Sequence, residues 1–147
     1  MYSLQDLEKK VNSELNTKIN SSKINHNQIY INIDSKDLID VILFLKNNET
    51  TKFRQLIDIT AVDFPQNDKR FKLVYLFLSH EYNTRLILDC YINEEEIVPT
   101  TTKIYPAAKS TGRYLQSYKI EALDFEALRP GIYRLEFGVR SLYPIDP

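Results

Sequence analysis

The side chains with the strongest potential for chemistry in this chain are few and lie far apart in the sequence. There is one cysteine, Cys90, and there are two histidines, His26 and His80. A structural zinc site draws on about four ligands, so one thiol excludes a cysteine cage for zinc as well as an internal disulfide. Both histidines stand among turn-forming residues, which predicts surface positions. We therefore predict no metal-binding residues.

Acid–base and nucleophilic chemistry receive equally little support. Asp58 and Asp63 bracket a strand-like segment, but a spacing of five puts two residues on opposite faces of a regular strand. A shared acid–base site is therefore not expected, and turn or edge positions are predicted for both. Cys90 lies within a strand candidate without a histidine or lysine near it in sequence, which favours a small buried residue over a reactive thiol.

Cofactor motifs are also missing from the sequence. It contains no phosphate-binding glycine loop, no helical zinc motif, no nucleophile elbow and no cysteine cluster for iron and sulfur. We predict no catalytic residues, no cofactor-binding residues and no cofactor.

The composition is that of an ordinary soluble protein. Hydrophobic residues make up 43% and charged residues 27%, with a net charge of -1, which gives no electrostatic case for nucleic acid. No stretch approaches the ~20 apolar residues of a spanning helix, and the N-terminus has neither a basic start nor an apolar run. We expect membrane contact only indirectly, through a partner.

Two helices and a strand are predicted in the first third of the chain. Ser3 and Asp6 form a capping pair before a helix with apolar residues at spacings of three and four: Leu4, Leu7, Val11 and Leu15. The stretch from Asn16 to Asn27 is rich in Asn and Ser and is predicted to be a break. A strand follows from Ile29 to Ile33, and Asp34 or Ser35 can cap a second helix near Lys36 to Asn47.

Three strand candidates follow, roughly Leu56 to Asp63, Arg70 to Ser79, and Thr84 to Ile92. Their short connections predict consecutive antiparallel hairpins. The middle strand carries apolar side chains on both faces, Phe71, Leu73, Tyr75 and Phe77 on one and Val74, Leu76 and Leu78 on the other. This strand is predicted to be interior, and since two helices shield one face of a small sheet, the other face should meet the tail or another protein.

The composition changes near Pro106. Asn occurs eleven times before residue 107 and never after it, whereas all three Gly lie after it. We therefore predict an α+β domain at 1–106, with two N-terminal helices packed on a mainly antiparallel sheet, and a divergent C-terminal extension at 107–147. Within the extension, Arg129 to Gly131 predicts a turn and Ile132 to Phe137 a short strand.

The strand candidates also carry a family resemblance. The segments LIDITAVDFP, from Leu56 to Pro65, and RFKLVYLFLS, from Arg70 to Ser79, resemble the core of the hydrophilic C subunit of respiratory NADH-quinone oxidoreductase, complex I. The family pattern runs close to L-T-D-x-x-x-V-D-Y-P and then R-F-x-V-V-Y-x-L-L-S. Asn83, Arg85 and Leu86 match its next strand, and residues 98–100 and 104–107 are similar to its V-P-S and W-P-x-A segments. The resemblance covers about residues 1–107.

The resemblance implies a non-catalytic scaffold subunit in the peripheral arm of a proton-pumping oxidoreductase that passes electrons from NADH to quinone. Its partners would be the other subunits, chiefly the quinone-site subunit, with no nucleic acid. It would lie on the cytoplasmic side of the inner membrane, or on the matrix side in a mitochondrion, and would bind neither flavin nor iron–sulfur cluster.

Two other interpretations remain open. From Ala108 onward the family signature close to W-x-E-R-E-x-x-D-M-x-G is not recognisable. One alternative is a small stand-alone protein-binding module, for which the apolar middle strand would be the docking face. Residues Leu128 to Phe137 also resemble a segment of transthyretin-like hydroxyisourate hydrolases, which makes a fragment of such a hydrolase the second. The histidines and the C-terminal tyrosine motif that this enzyme family needs are missing.

Overall fold

The computed structural model describes residues 3–99, 101 and 103–105, together with the backbone of residues 131–133. In chain order its elements are α1 (Leu4–Glu14), β1 (Ile19–Asn25), β2 (Gln28–Ile33), a 3₁₀ helix (Ser35–Asp37), α2 (Leu38–Asn47), β3 (Gln55–Asp63), β4 (Phe71–Ser79), β5 (Thr84–Ile92) and β6 (Gly131–Tyr133). The α+β class is confirmed.

The strands form one sheet in the order β1-β2-β5-β4-β3-β6. Every neighbouring pair is antiparallel except β2 and β5, which are parallel. Strand β4 lies between β3 and β5, so the predicted interior position of Arg70 to Ser79 is confirmed. Of the predicted strand at Ile132 to Phe137, residues 132 and 133 pair with β3 within β6, and the remainder lies outside the described residues.

Helix α1 begins at the predicted capping pair. The Asp6 backbone N–H donates to Ser3 Oγ at 3.1 Å, and the Ser3 backbone N–H donates to the Asp6 carboxylate at 3.3 Å. Two N–H groups that lack helical partners are thereby satisfied. The Ser3 hydroxyl also donates to Asp6 Oδ2 at 2.6 Å. This hydrogen bond, and then the one from the Ser3 backbone N–H, favours the ionised carboxylate and lowers the pKa of Asp6. Leu7 and Val11 then face the core.

Helix α1 ends before the stretch from Asn16 to Asn27, as predicted, but residues 19–25 of that stretch form strand β1, which was not predicted. His26 and Asn27, both with positive φ (47° and 59°), connect β1 to β2 as a two-residue hairpin turn. Asn tolerates this left-handed conformation, and such turns match the twist of paired strands. The polar composition of β1 reflects its position at the edge of the sheet, where most of its side chains face solvent.

The second helix starts differently from the prediction. Asp34 occupies the cap position of the 3₁₀ helix with an extended backbone, but its side chain makes no capping hydrogen bond. The Ser35 hydroxyl donates instead to the carboxylate of Glu96, in the turn after β5. The 3₁₀ helix leads into α2, whose core-facing residues are Leu38, Val41, Ile42 and Leu45.

The core lies between the helices and one face of the sheet. Its largest fully buried side chains are Tyr75, Phe53, Phe71, Phe77, Ile29, Ile31, Ile33, Leu38, Ile42, Leu45, Leu86 and Leu88. The segment after β5 returns to this layer, where Val98, Ile104 and Tyr105 are buried. Lys46 Nζ donates to the Ile104 carbonyl, so the end of α2 holds the segment in place.

An ion pair joins the strands at one end of the sheet. Arg70 Nε donates to Asp63 Oδ1 at 2.7 Å and Arg70 Nη2 to Asp63 Oδ2 at 3.0 Å, while Nη1 donates to Glu94 at 2.5 Å. The Asp63 residue is 3% exposed. The hydrogen bonds to Asp63, and then to Glu94, raise the pKa of Arg70. This triad connects the β3–β4 hairpin to the turn after β5 with the bidentate geometry that arginine favours.

The two ion pairs of Arg70 should contribute unequally to stability. We expect Asp63→Asn to lower the free energy of unfolding by about 2–4 kcal/mol, because it removes the buried anion that compensates the guanidinium. Glu94→Gln, at an exposed partner, should cost less than about 1 kcal/mol. Urea denaturation of both variants measures the difference. Equal losses would contradict the assignment of Asp63 as the main partner.

Two core tyrosines differ in how their hydroxyls are satisfied. The rings of Tyr75 and Phe77 stack at 6.4 Å, and those of Phe77 and Tyr105 tilt at 5.6 Å. The Tyr105 hydroxyl donates to the Phe53 carbonyl at 2.5 Å, whereas the buried Tyr75 hydroxyl has no hydrogen-bond partner in the part of the chain that the structure describes. Burial raises the pKa of both phenols.

These tyrosines form a matched pair for mutation. Tyr75→Phe should raise the free energy of unfolding by about 1 kcal/mol, since it removes a buried hydroxyl that forms no bond. Tyr105→Phe should lower it by about 1 kcal/mol, since the Phe53 carbonyl loses its donor. Chemical denaturation monitored by circular dichroism provides both values. A loss of stability in Tyr75→Phe would show that its hydroxyl has a partner.

Candidate interaction surface

The face of the sheet opposite the helices, which we call the open face, follows from the strand register. Residues paired across neighbouring strands have side chains on the same side. The open face consists of four cross-strand rows: Val62, Lys72 and Tyr91; Thr60, Val74, Asp89, Asn32 and Ser21; Asp58, Leu76, Ile87, Tyr30 and Lys23; and Gln55, Leu78 and Arg85.

The middle of the open face is aliphatic. Val74, Leu76 and Leu78 of β4 and Ile87 of β5 are all partly exposed, in contrast to the fully buried residues that alternate with them. A sheet face that meets only water normally carries polar side chains at these positions. Leu76 and Ile87 are direct cross-strand partners, so the apolar side chains form one continuous patch. We call these four residues the apolar centre.

One end of the open face carries an ion pair that is largely shielded from water. Lys72 Nζ lies 3.0 Å from Asp89 Oδ2, and Asn32 Nδ2 donates to Asp89 Oδ1 at 2.5 Å. Burial lowers the pKa of Lys72, but the hydrogen bond and charge of Asp89 outweigh it, and the pKa is raised overall. Lys72 Nζ also lies 5.5 Å from the centre of the Tyr91 ring. The charges at this end are therefore held in a fixed arrangement.

The β3–β4 connection borders this end of the open face. The ring of Phe64, which is 37% exposed, lies 6.3 Å from the ring of Tyr91. Beside it a small cavity of about 200 Å³ is lined by Asn20, Asn32, Ile33, Asp34, Asn67, Lys69 and Tyr91. Its lining is mostly carboxamide and charged groups, and the Asn20 amide already donates to Asn32 and Asp34. The three side chains Asn20, Asn32 and Asp34 are therefore joined by hydrogen bonds on this side of the cavity.

The residues singled out in the sequence do not converge on a common site. Asp58 lies on the open face and Asp63 on the core side, so their predicted separation is confirmed. Cys90 is buried in the core, as predicted, and burial raises the pKa of its thiol to about 12. His26 and His80 are both exposed, as expected. The bidentate pair of Asp63 and the Lys72–Asp89 pair were not predicted.

Metal-ligating side chains do not cluster in the described part of the chain. Within residues 3–99, 101 and 103–105, no group of three or more His, Cys, Asp or Glu side chains could hold a metal ion. No helix in the same residues is long and apolar enough to cross a membrane.

Comparison with known proteins identifies a family. Residues 31–116 match the family model described as the 30 kDa subunit of respiratory-chain NADH dehydrogenase. The NADH-quinone oxidoreductase C subunit of Mesorhizobium japonicum is 31% identical over 106 residues, which cover 72% of this chain and 53% of the relative. The mitochondrial 30.4 kDa subunit of NADH-ubiquinone oxidoreductase of Neurospora crassa is 41% identical over 81 residues, or 55% of this chain and 29% of the relative.

A solved structure has the same fold. One polypeptide in the structure of the membrane-bound sulfane sulfur reductase, an archaeal respiratory membrane complex, superposes with a TM-score of 0.61 at 21% sequence identity. The match covers 72% of this chain and 61% of that polypeptide.

The two sequence comparisons agree with each other and with the resemblance in the strand segments. The chain spans about half the length of the bacterial relatives that it matches. The family match covers more than half of the 147 residues and includes strands β3, β4 and β5. This chain therefore belongs to the family of the 30 kDa subunit of respiratory-chain NADH dehydrogenase, whose bacterial relatives are named as the C subunit of NADH-quinone oxidoreductase.

Proposed function

We propose that this chain is a non-catalytic scaffold subunit in the peripheral arm of a proton-pumping NADH-quinone oxidoreductase. The observation that carries the proposal is the open face, where Val74, Leu76, Leu78 and Ile87 form a continuous aliphatic patch on the sheet. A patch of this kind, bordered by polar residues, is typical of a surface that binds another protein.

The chemistry of the described side chains favours a structural role over a catalytic one. The best-buried carboxylates, Asp63 and Asp89, are committed to Arg70 and Lys72. Burial raises the pKa of the Cys90 thiol to about 12, so it lacks the thiolate character of a nucleophile or a cluster ligand. Electron transfer from NADH to quinone would take place in neighbouring subunits, which this chain would hold in position.

The proposed main partner is the large quinone-site subunit. The names of the relatives as subunits of respiratory oxidoreductases support a place in a multisubunit assembly. In that assembly the chain would lie on the cytoplasmic side of the inner membrane, or on the matrix side in a mitochondrion, and would contact the membrane only through its partners.

We also propose that residues 1–106 form the folded unit and residues 107–147 a divergent extension, from which the three residues of β6 add to the sheet by pairing with β3. Support comes from Ile104 and Tyr105, which are buried at the end of the continuous core and are attached to α2 and Phe53 by hydrogen bonds. The family match continues to residue 116, so the start of the extension also carries family sequence.

A stand-alone binding module is the second candidate, since the same open face would serve it. The two candidates differ in their partner. A scaffold subunit is expected to bind a respiratory subunit of its own organism. A stand-alone module is expected not to bind one. Of the hydrolase-like segment Leu128 to Phe137, only residues 131–133 are described, and they support strand pairing alone.

Co-expression tests the scaffold proposal. The full chain produced together with the quinone-site subunit of the same organism should co-elute with it as a one-to-one complex in size-exclusion chromatography. The isolated chain should show no NADH oxidation with a soluble quinone, while the intact oxidoreductase provides the positive control. A chain that elutes alone in the presence of the quinone-site subunit would favour the stand-alone module.

The domain division can be tested by controlled cleavage of the full chain. With a protease recognition site inserted after Ala107, cleavage should change the melting temperature by no more than a few degrees, because the described core ends at Tyr105. A site inserted at Asn67, in the β3–β4 connection, provides the control, and cleavage there should destabilise the sheet. Equal loss of the cooperative transition in both would show that 1–147 is one folding unit.

A further inference from the structure

We propose that the open face is the docking site for an amphipathic helix of the quinone-site subunit, with an aliphatic stripe on the apolar centre and acidic residues beside Lys23 and Arg85. This inference rests on the proposed function and specifies which surface, and which chemistry, the partner uses.

The dimensions of the apolar centre fit one helix. Val74, Leu76 and Leu78 lie on β4 and span four residue steps, or about 13 Å along the strand. Ile87 is on the neighbouring strand, about 4.8 Å away. The patch is therefore longer than it is wide, and a helix about 10 Å in diameter lying along β4 would cover it with two to three turns. This is the geometry of an amphipathic helix bound through residues spaced three and four apart.

The charges around the apolar centre determine which charged residues we expect on each side of the bound helix. Arg85 is exposed on β5 beside Leu78, and Lys23 is exposed on β1 at the end of the row that contains Ile87. We call Lys23 and Arg85 the basic margin. Asp58 lies on the opposite side, on β3. A bound helix would therefore have its carboxylates toward the basic margin, since opposite charges at the rim guide association and orientation.

The ion pair of Lys72 and Asp89 also favours the open face as the interface with the partner. Lys72 and Asp89 neutralise each other, and Asn32 donates a third contact to the pair. A partner that covers this end does not leave an unpaired charge in a dry interface, which would be strongly unfavourable. The polar end of the open face is therefore compatible with burial. In the basic margin, Lys23 Nζ lies 5.7 Å from the centre of the Tyr30 ring, a contact that leaves its N–H donors for acidic groups of a partner.

The test compares polar substitutions on the two sides of the domain. Leu76→Gln and Ile87→Gln in the full chain should each weaken binding to the quinone-site subunit by about tenfold or more. Leu43→Gln, at a similarly sized residue that is 39% exposed on the outer side of α2, should leave the affinity within about twofold. Melting temperatures of the isolated variants should stay close to the wild type, because each position is reachable by solvent in the free chain.

Charge substitutions test the acidic flank. Arg85→Glu should weaken binding more at low salt than at high salt, since screening removes the repulsion, whereas Lys9→Glu, at an exposed position of α1, should have no effect. Hydrogen exchange in the complex should show one protected amphipathic helix in the partner. Reversing an acidic residue of that helix to Lys should restore binding to the Arg85→Glu variant by about tenfold.

Any of four other outcomes would contradict the proposal, and each would identify a different error in it. If wild type and the Gln variants bind the quinone-site subunit equally, the open face is not the interface, although the scaffold role stands. If wild type fails to bind at all, both proposals fail. If the wild-type chain forms a dimer that Leu76→Gln dissociates, the occupant is a second copy of this chain. If the protected partner segment is basic or not helical, the assigned chemistry is wrong.

Discussion

Strand β4 imposes the main constraint on this protein, because it carries apolar side chains on both faces and the helices in the described residues cover only one of them. Phe71, Tyr75 and Phe77 are fully buried in a core that also contains residues of α1, α2 and the segment that returns after β5. That arrangement uses both described helices on the same side of the sheet. The alternate residues of β4 are left partly exposed. The layer architecture that stabilises the fold therefore also creates the open face.

Much of this arrangement follows from local sequence patterns. The capping pair of Ser3 and Asp6, the short hairpin connections and the two-sided strand from Arg70 to Ser79 are all encoded within a few neighbouring residues. Strand β1 was not predicted because a solvent-exposed edge strand needs no alternation of apolar and polar residues. Its Asn and Ser residues also resemble those of a loop. The parallel pairing of β2 with β5 joins residues more than fifty positions apart, which no local pattern specifies.

The ion pairs show the same division between local and non-local information. Asp63 and Arg70 are seven residues apart, but they meet only because β3 and β4 form a hairpin that places their ends together. From sequence, Asp63 was assigned to an ordinary turn or edge position, and its burial depends on Arg70 and on the turn after β5. Asp89 likewise has the sequence context of a polar residue on a solvent face. Its environment is set by Lys72 and Asn32 on two different neighbouring strands.

The two faces of the sheet at β4 differ in whether their buried polar groups have hydrogen-bond partners, and this difference affects the free energy of binding. On the core side, Tyr75 carries a hydroxyl without a hydrogen bond among the described residues, and the surrounding apolar contacts must offset its desolvation. On the open face, by contrast, the buried carboxylate of Asp89 already has two donors before any partner arrives. A partner that docks there removes water from a pair whose charges are already compensated, and from aliphatic side chains that gain by being covered. The free energy of association would then come mainly from Leu76, Ile87 and their neighbours, while Arg85 and Lys23 select the orientation of the partner.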